Sequence, residues 1–280
     1  MKIILSKKMG FCFGVKKSIE LADDTVIKEK GEVYMLGPII HNPQVIDNYK
    51  KKGVIVVESL SEIPKGKTVI TRAHGISPEI SKQAKNKKLS VVDTTCPYVK
   101  KLQEIASFLN KNEYYLIIYG DKRHPEILTV LEIVNNDALV IDRIDEINKI
   151  SRKKRIGFIS QTTKNIYNFK KLSYALIEKT EELRIFNTIC NSTIKRQEGA
   201  FELSKKVDVV IVIGGRKSAN TSRLAEICKN QGVKTYHIET KKELKNEWFK
   251  NNYKIGISSG ASTPDYLTNE VIEQLKKWYF

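Results

Sequence analysis

Residues 90–101 read SVVDTTCPYVKK: a β-branched apolar run, a polar loop ending in Cys96, and a proline that opens a polar helix. β-Branched residues favour strands, and proline is pre-set for the first turn of a helix. The order recurs at residues 184–196, RIFNTICNSTIKR, where Cys190 closes an Asn-Thr-x-Cys string as Cys96 closes Asp-Thr-x-Cys. Strand, cysteine loop and helix in that order form a unit of an α/β fold.

Outward from these two stretches the alternation continues. Apolar runs predict strands at 2–5, 33–36, 54–57, 68–71, 90–93, 114–119, 138–141, 156–160, 184–187, 207–213, 234–238 and 253–258. Several, such as VDVVIVIGG, are continuously apolar, as strands buried on both faces of a parallel sheet are. Amphipathic helices fill the gaps, among them 97–112, 123–135, 165–182 and 219–231. The βαβα order makes an α/β protein with mainly parallel sheets the expected class. Twelve strands fall into three sets of four, and the Cys96 and Cys190 motifs lie at the seams. The expected organisation is therefore three small α/β units, residues 1–96, 97–189 and 190–280.

A third cysteine, Cys12, follows the apolar run of KIILS and is framed by Gly10 and Gly14 in MGFCFGV. Glycines there let the backbone turn tightly and approach a bulky group. Cys12, Cys96 and Cys190 are 84 and 94 residues apart, too far for a local finger. At matching strand ends they are candidate ligands of one metal cluster; the alternative is three small core hydrophobes. Cys228, beside Leu224 and Ile227 on a predicted helix, reads as inert core. Four cysteines make no disulfide framework, which points to a reducing cytosol. MKIILSKKMG lacks the apolar stretch of a secretion signal, and no run reaches the ~18 apolar residues of a membrane span.

The net charge is +17. That invites a nucleic-acid reading, but the excess is spread as +7, +4 and +6 over residues 1–96, 97–189 and 190–280, without a basic tail or block. Nucleic acid is not the expected partner. A diffuse positive field also draws in small anionic substrates or an acidic redox partner.

In parallel sheets, ligands bind beyond the carboxyl ends of the strands. Those ends carry GPIIHNP with His41, RAHGISP with His74, GDKRHPE with His124 and Glu126, SQTT with Thr162 and Thr163, GGRKSANTSR with Ser218 and Asn220, and SGASTPD with Ser262. Three of the four histidines sit there; His237, inside TYHIE, reads as structural. Short hydroxyl and amide donors at helix starts suit an oxyanion such as phosphate. Glu126 is a candidate proton donor, since crowding raises a carboxyl's pKa. Gly66-Lys67-Thr68 is no P-loop: position 61 is Ser, and the run precedes a strand. Gly214-Gly215 lacks the further glycine of a dinucleotide fingerprint.

Taken in order, GFCFGV, LGPIIHNPQVI, RAHGISP, DTTCPYVKK, YGDKRHPE, SQTT, NTICNST, GGRKSANTSRL and SGASTPD resemble the 4-hydroxy-3-methylbut-2-enyl diphosphate reductase (LytB) family across essentially the whole chain. The resemblance implies a three-lobed α/β trefoil around a central [4Fe-4S] cluster held by Cys12, Cys96 and Cys190. Such cubes usually take four cysteines, so three leave one iron open. It further implies diphosphate binding by His41, His74, Ser218, Asn220 and Ser262, with His124 facing the substrate. Glu126, hydrogen-bonded with Thr162, would deliver the proton that lets the C4 hydroxyl leave as water. Thr162 is favoured over Thr163 for its place beside Gln161. The products would be isopentenyl and dimethylallyl diphosphate, the end of the methylerythritol phosphate route, with electrons from a ferredoxin- or flavodoxin-type donor. One departure is visible: Ala219 stands where the family's second serine is expected, leaving only its backbone N–H for phosphate.

Two readings of other classes compete: a zinc or iron–sulfur regulator that binds nucleic acid, and a zinc hydrolase with histidine ligands. The discriminating sequence feature is the full set of phosphate-type loops, which a regulator would not need.

Overall fold

The computed structural model describes residues 1–249 and 254–279. The alternation appears as β1 (Lys2–Leu5), α1 (Phe13–Lys28), β2 (Val33–Leu36), α2 (Pro43–Lys51), β3 (Ile55–Val57), β4 (Thr68–Ile70), α3 (Pro78–Asn86), β5 (Ser90–Val92) and α4 (Pro97–Lys111). It continues through β6 (Tyr115–Tyr119), α5 (Pro125–Ile133), β7 (Leu139–Ile141), β8 (Lys153–Ser160), α6 (Ile166–Leu176), β9 (Thr180–Ile185) and α7 (Asn191–Ser204). It ends with β10 (Val209–Ile213), α8 (Ala219–Asn230), β11 (Lys234–Ile238), β12 (Lys254–Ser259) and α9 (Asp265–Tyr279).

Among the described residues the strands form three four-stranded sheets, ordered β1-β12-β10-β11, β3-β2-β4-β5 and β7-β6-β8-β9. Every pairing is parallel. The α/β class and its parallel sheets thus stand as the apolar runs predict. Two sheets are built from consecutive strands, β2 to β5 and β6 to β9. The third takes β10 to β12 and completes itself with β1, whose Lys2 pairs with Lys254. By contacts the chain forms two compact units: Met1–Lys16 with Ile40–Tyr49 and Asn191–Phe280, and Lys17–Ile39 with Lys50–Cys190. The first holds the sheet of β1 and β10–β12; the second holds the other two.

The continuous apolar runs earn their burial from both faces. On β10, Val209, Ile211 and Ile213 face a core with Leu267, Val271 and Leu275 of α9. Val210 and Val212 face Leu203 of α7 and Leu224, Ala225 and Cys228 of α8. At about 1.5–3 kcal/mol for each large apolar side chain taken from water, helices on both faces are what such a strand demands. In the second unit, Leu102, Ala106 and Leu109 of α4 and Ile127 and Val130 of α5 pack on Leu116 and Ile118 of β6.

Several boundaries differ from the sequence reading; β8, predicted over 156–160, begins at Lys153. The helix predicted over 165–182 stops at Leu176, and its last residues open β9, whose TEELRI is mostly exposed. Charged residues on an edge strand mask its period-2 signal. The helix predicted over 123–135 starts at Pro125, with His124 as its cap, and ends before Asn135 and Asn136, both at positive φ. The strand predicted over 253–258 is β12; its residue 253 lies outside the described residues.

Candidate functional site

The edge strands β1, β5 and β9 each lead into one of the three cysteine loops, and each loop is tied to the end of the neighbouring strand in the same register. The Cys96 N–H donates to the Ala73 carbonyl (3.0 Å) beyond β4, and the Cys190 N–H to the Thr162 carbonyl (3.0 Å) beyond β8. In the other unit the Cys12 N–H donates to the Ala261 carbonyl (3.1 Å) beyond β12. Two residues earlier a hydroxyl locks each pair again. Thr94 Oγ1 donates to the Thr71 carbonyl (2.7 Å), and the Thr94 N–H to Thr71 Oγ1 (3.1 Å). Thr188 Oγ1 donates to the Ser160 carbonyl (2.5 Å) and accepts from the Ser160 N–H (2.8 Å). At the first loop Gly10 replaces the threonine and its N–H donates to Ser259 Oγ (2.9 Å). Gly10 lies at φ +72°, and a Cβ there would run into the Asp265 carboxylate, so glycine is required.

Each of these cysteines opens a helix: Cys12 precedes α1, Cys96 caps α4 and Cys190 precedes α7. A helix N-terminus favours negative charge, the form in which sulfur binds metal. The Cys12 sulfur also accepts from the Val15 N–H at 3.4 Å. None of the four cysteines is in a disulfide; Cys12, Cys96 and Cys190 are partly exposed and Cys228 is buried. Burial pushes the Cys228 thiol up to about 12, which fits inert core.

In the second unit, Glu126 and Thr162 meet. Glu126 is 1% exposed. One carboxylate oxygen accepts the Thr162 N–H (2.7 Å) and the other the Thr162 hydroxyl (2.8 Å). Burial raises the carboxyl to about 7, against the lowering effect of those two bonds. Near neutrality it exchanges a proton easily, and when protonated it can donate. Thr163 turns elsewhere, its hydroxyl accepting from Gln161 Nε2 (2.8 Å), while Gln161 Oε1 accepts the Asp121 N–H (3.0 Å). His124 caps α5, its Nδ1 accepting the Glu126 N–H at 3.2 Å. A neutral ring in that arrangement carries its proton on Nε2. The His74 ring stands edge-on to it, centroids 5.4 Å apart.

In the first unit, Ser218 and Ser262 meet. The Ser262 hydroxyl donates to Ser218 Oγ (3.3 Å), which also accepts the Thr221 hydroxyl (3.0 Å) as Ser218 caps α8. Asn220, in the first turn of α8, is 4% exposed, and neither atom of its amide has a hydrogen-bond partner. A buried amide left so costs about 1–3 kcal/mol unless a ligand completes it. The His41 carbonyl lies against Gly215, before this loop. Ala219 is the first residue of α8. His237 behaves as structural: Nε2 donates to the Gly214 carbonyl (2.8 Å), and burial lowers its pKa.

The sequence reading missed the hydroxyl locks at Thr71, Thr94, Ser160, Thr188 and Ser259. The repeated Thr-x-Cys spacing was their signal; their strand-end partners carry none.

A LytB protein family model matches residues 3–276. The 4-hydroxy-3-methylbut-2-enyl diphosphate reductase of Geobacter metallireducens is 43% identical over 277 residues, 99% of this chain and 98% of that protein. The reductase of Aquifex aeolicus is 41% identical over 278 residues, 98% of this chain and 96% of its own. Among solved structures, an (E)-4-hydroxy-3-methyl-but-2-enyl diphosphate reductase, the terminal enzyme of the non-mevalonate pathway, matches with a TM-score of 0.72 and 40% identity over 99% of each chain. The E-1-hydroxy-2-methyl-but-2-enyl-4-diphosphate reductase of Plasmodium falciparum matches with a TM-score of 0.93 and 29% identity, over 98% of this chain and 88% of its own.

Proposed function

This chain belongs to the LytB family, and from that membership we propose a role for each residue of its strand-end loops. The chain is an enzyme, a 4-hydroxy-3-methylbut-2-enyl diphosphate reductase acting at the last step of the non-mevalonate route. The reaction removes the C4 hydroxyl as water, consuming two electrons and two protons, and yields isopentenyl or dimethylallyl diphosphate.

Cys12, Cys96 and Cys190 hold a [4Fe-4S] cluster. The donor set fits: three thiols outside any disulfide, each opening a helix, each with its backbone N–H bonded to a carbonyl beyond the neighbouring strand. Three ligands are one fewer than such a cube usually takes, leaving one iron for substrate. When bound, the cluster supplies single-electron transfer and a Lewis-acidic iron.

The chain's own groups do the rest. Ser218, Asn220, Ser262 and His41 bind the diphosphate with His74, which the unpaired buried amide of Asn220 supports. His124 faces the substrate and offers Nε2–H. Glu126 is the proton source: at about 7 it is partly protonated at working pH, so it can protonate the departing hydroxyl and be recharged from solvent. Thr162 orients it through two bonds. The electron donor is a ferredoxin- or flavodoxin-type protein, the compartment is the cytosol, and each sheet with its helices makes one lobe. None of the described helices is long and apolar enough to cross a membrane.

The observation that carries this reading is the recurrence of one cysteine-loop geometry at three widely separated places in the sequence. Anaerobic reconstitution with iron and sulfide tests it. A brown protein, bleached by dithionite and reducing the allylic diphosphate, is expected; a colourless zinc protein would overturn it.

A further inference from the structure

We propose that Asn42 donates a hydrogen bond from Nδ2 to the substrate's diphosphate, as a binding residue additional to His41, Ser218, Asn220 and Ser262. The inference rests on the reading of that loop cluster given above.

Asn42 is 1% exposed. Its Oδ1 accepts the Val45 N–H at 3.2 Å, capping α2. Its backbone N–H donates to the Ile40 carbonyl (2.9 Å), and its carbonyl accepts the Ile46 N–H (3.2 Å). Every polar group of the residue is thus engaged except Nδ2, which is buried without an acceptor.

Capping does not explain that amide. Asp, Ser and Asn cap about equally, and Asp gains from the helix dipole besides. An aspartate would hold α2 without stranding a buried donor. Asparagine caps through its oxygen while its NH₂ adds donors without charge, which suits an anion nearby.

The position suits it as well. Asn42 Cα lies 3.5 Å from where a Gly215 Cβ would stand, with the His41 carbonyl against the same glycine. The Gly215 carbonyl accepts the Ser218 N–H at 3.0 Å. Asn42 therefore packs on the loop that carries Ser218 and leads to Asn220, whose amide is also buried and unpartnered. Two stranded carboxamides, one in the first turn of α8 and one packed on the loop before it, call for a ligand with several anionic oxygens.

The test uses Asn42→Ser and Asn42→Asp in the reconstituted enzyme, with Ser218→Ala and Ser262→Ala alongside. Thermal midpoints without ligand, the calorimetric affinity for inorganic diphosphate and KM for the allylic diphosphate are measured. Both Asn42 variants should keep or raise the midpoint. Affinity should fall about tenfold in Asn42→Ser, equivalent to about 1.4 kcal/mol, and further in Asn42→Asp, where a carboxylate faces the phosphates. Wild-type affinity in both Asn42 variants, with Ser218→Ala weakened, would overturn the role of Asn42 alone. Wild-type affinity in all four would overturn the assignment of the diphosphate to this loop cluster.

Discussion

Replacing Glu126 by glutamine should make the protein more stable at neutral pH while removing its proton source. The carboxyl ionises near 4.5 in an unfolded chain and near 7 in the native state. Below about pH 4.5 both states hold the proton and the group contributes no pH dependence. Between about 4.5 and 7 the unfolded chain releases its proton first, so native stability falls as pH rises; above 7 both are ionised and the penalty is constant. At about 1.36 kcal/mol per pKa unit, the loss is about 3 kcal/mol. Glutamine fits the same contacts, its oxygen accepting the Thr162 N–H and its amide donating to the Thr162 hydroxyl, and it does not ionise. In urea unfolding from pH 4.5 to 8.5, wild-type stability should therefore decline relative to Glu126→Gln by about 3 kcal/mol and level off near pH 7. In thermal scans the gap at pH 8 should be on the order of 5–10 °C. Turnover by the variant should drop about 10²–10⁴-fold, the usual weight of a general acid. Parallel stability curves across the window would refute the raised pKa. Wild-type turnover, with cluster and substrate affinity retained, would refute the proton role.

Thr162→Val removes the hydroxyl bond to Glu126, one of the two contacts that lower its pKa, so the alkaline limb of the kcat–pH profile should move upward; an unmoved limb would separate Thr162 from the acid. Cys96→Ser should lose iron, visible absorbance and activity together, and full activity would refute ligation there. Thr188→Val strands the buried Ser160 N–H at a cost of about 1–3 kcal/mol and frees the Cys190 loop; iron retained per chain should fall and Thr188→Ser should restore it, whereas unchanged iron would make the lock dispensable.

The central strands were legible because buried parallel strands announce themselves: VVIVI of β10 has no polar residue to blur it. Edge strands were harder, since β9 carries two glutamates and an arginine among its six residues and reads as the tail of the preceding helix. The pairing of β1 with β12 had no local signal at all, because partners at opposite ends of a chain leave no trace in any sequence window. The candidate site residues could be read as types at strand ends, where several polar loops recur in one chain. Their partners could not. That Thr162 meets Glu126 while Thr163 turns to Gln161 is decided by which side of the chain each hydroxyl leaves, a matter of backbone direction beyond β8. Asn42 stayed hidden because a residue before Pro43 at a helix start has a sufficient explanation as a cap.

The locks also answer a mechanical difficulty. All three candidate ligands follow edge strands, and β1, β5 and β9 are the least buried of their sheets' site-bearing strands. An edge strand has one hydrogen-bonded neighbour and little apolar anchoring, so it opens at low free-energy cost. A metal ligand on such a loop would wander, and the binding energy of the metal would be spent on ordering it. One bond from each cysteine N–H, with one bond two residues earlier at the Cys12 loop and two at each of the others, all involving a hydroxyl, extends the ladder past the strand's end to the ligand itself. Where the loop must pass Asp265, the threonine is given up for Gly10 and the hydroxyl is supplied from the opposite strand by Ser259. The chain thus keeps the bond while exchanging the residue that makes it, which is expected if the restraint on the cysteine, and not the threonine, is what the loop requires.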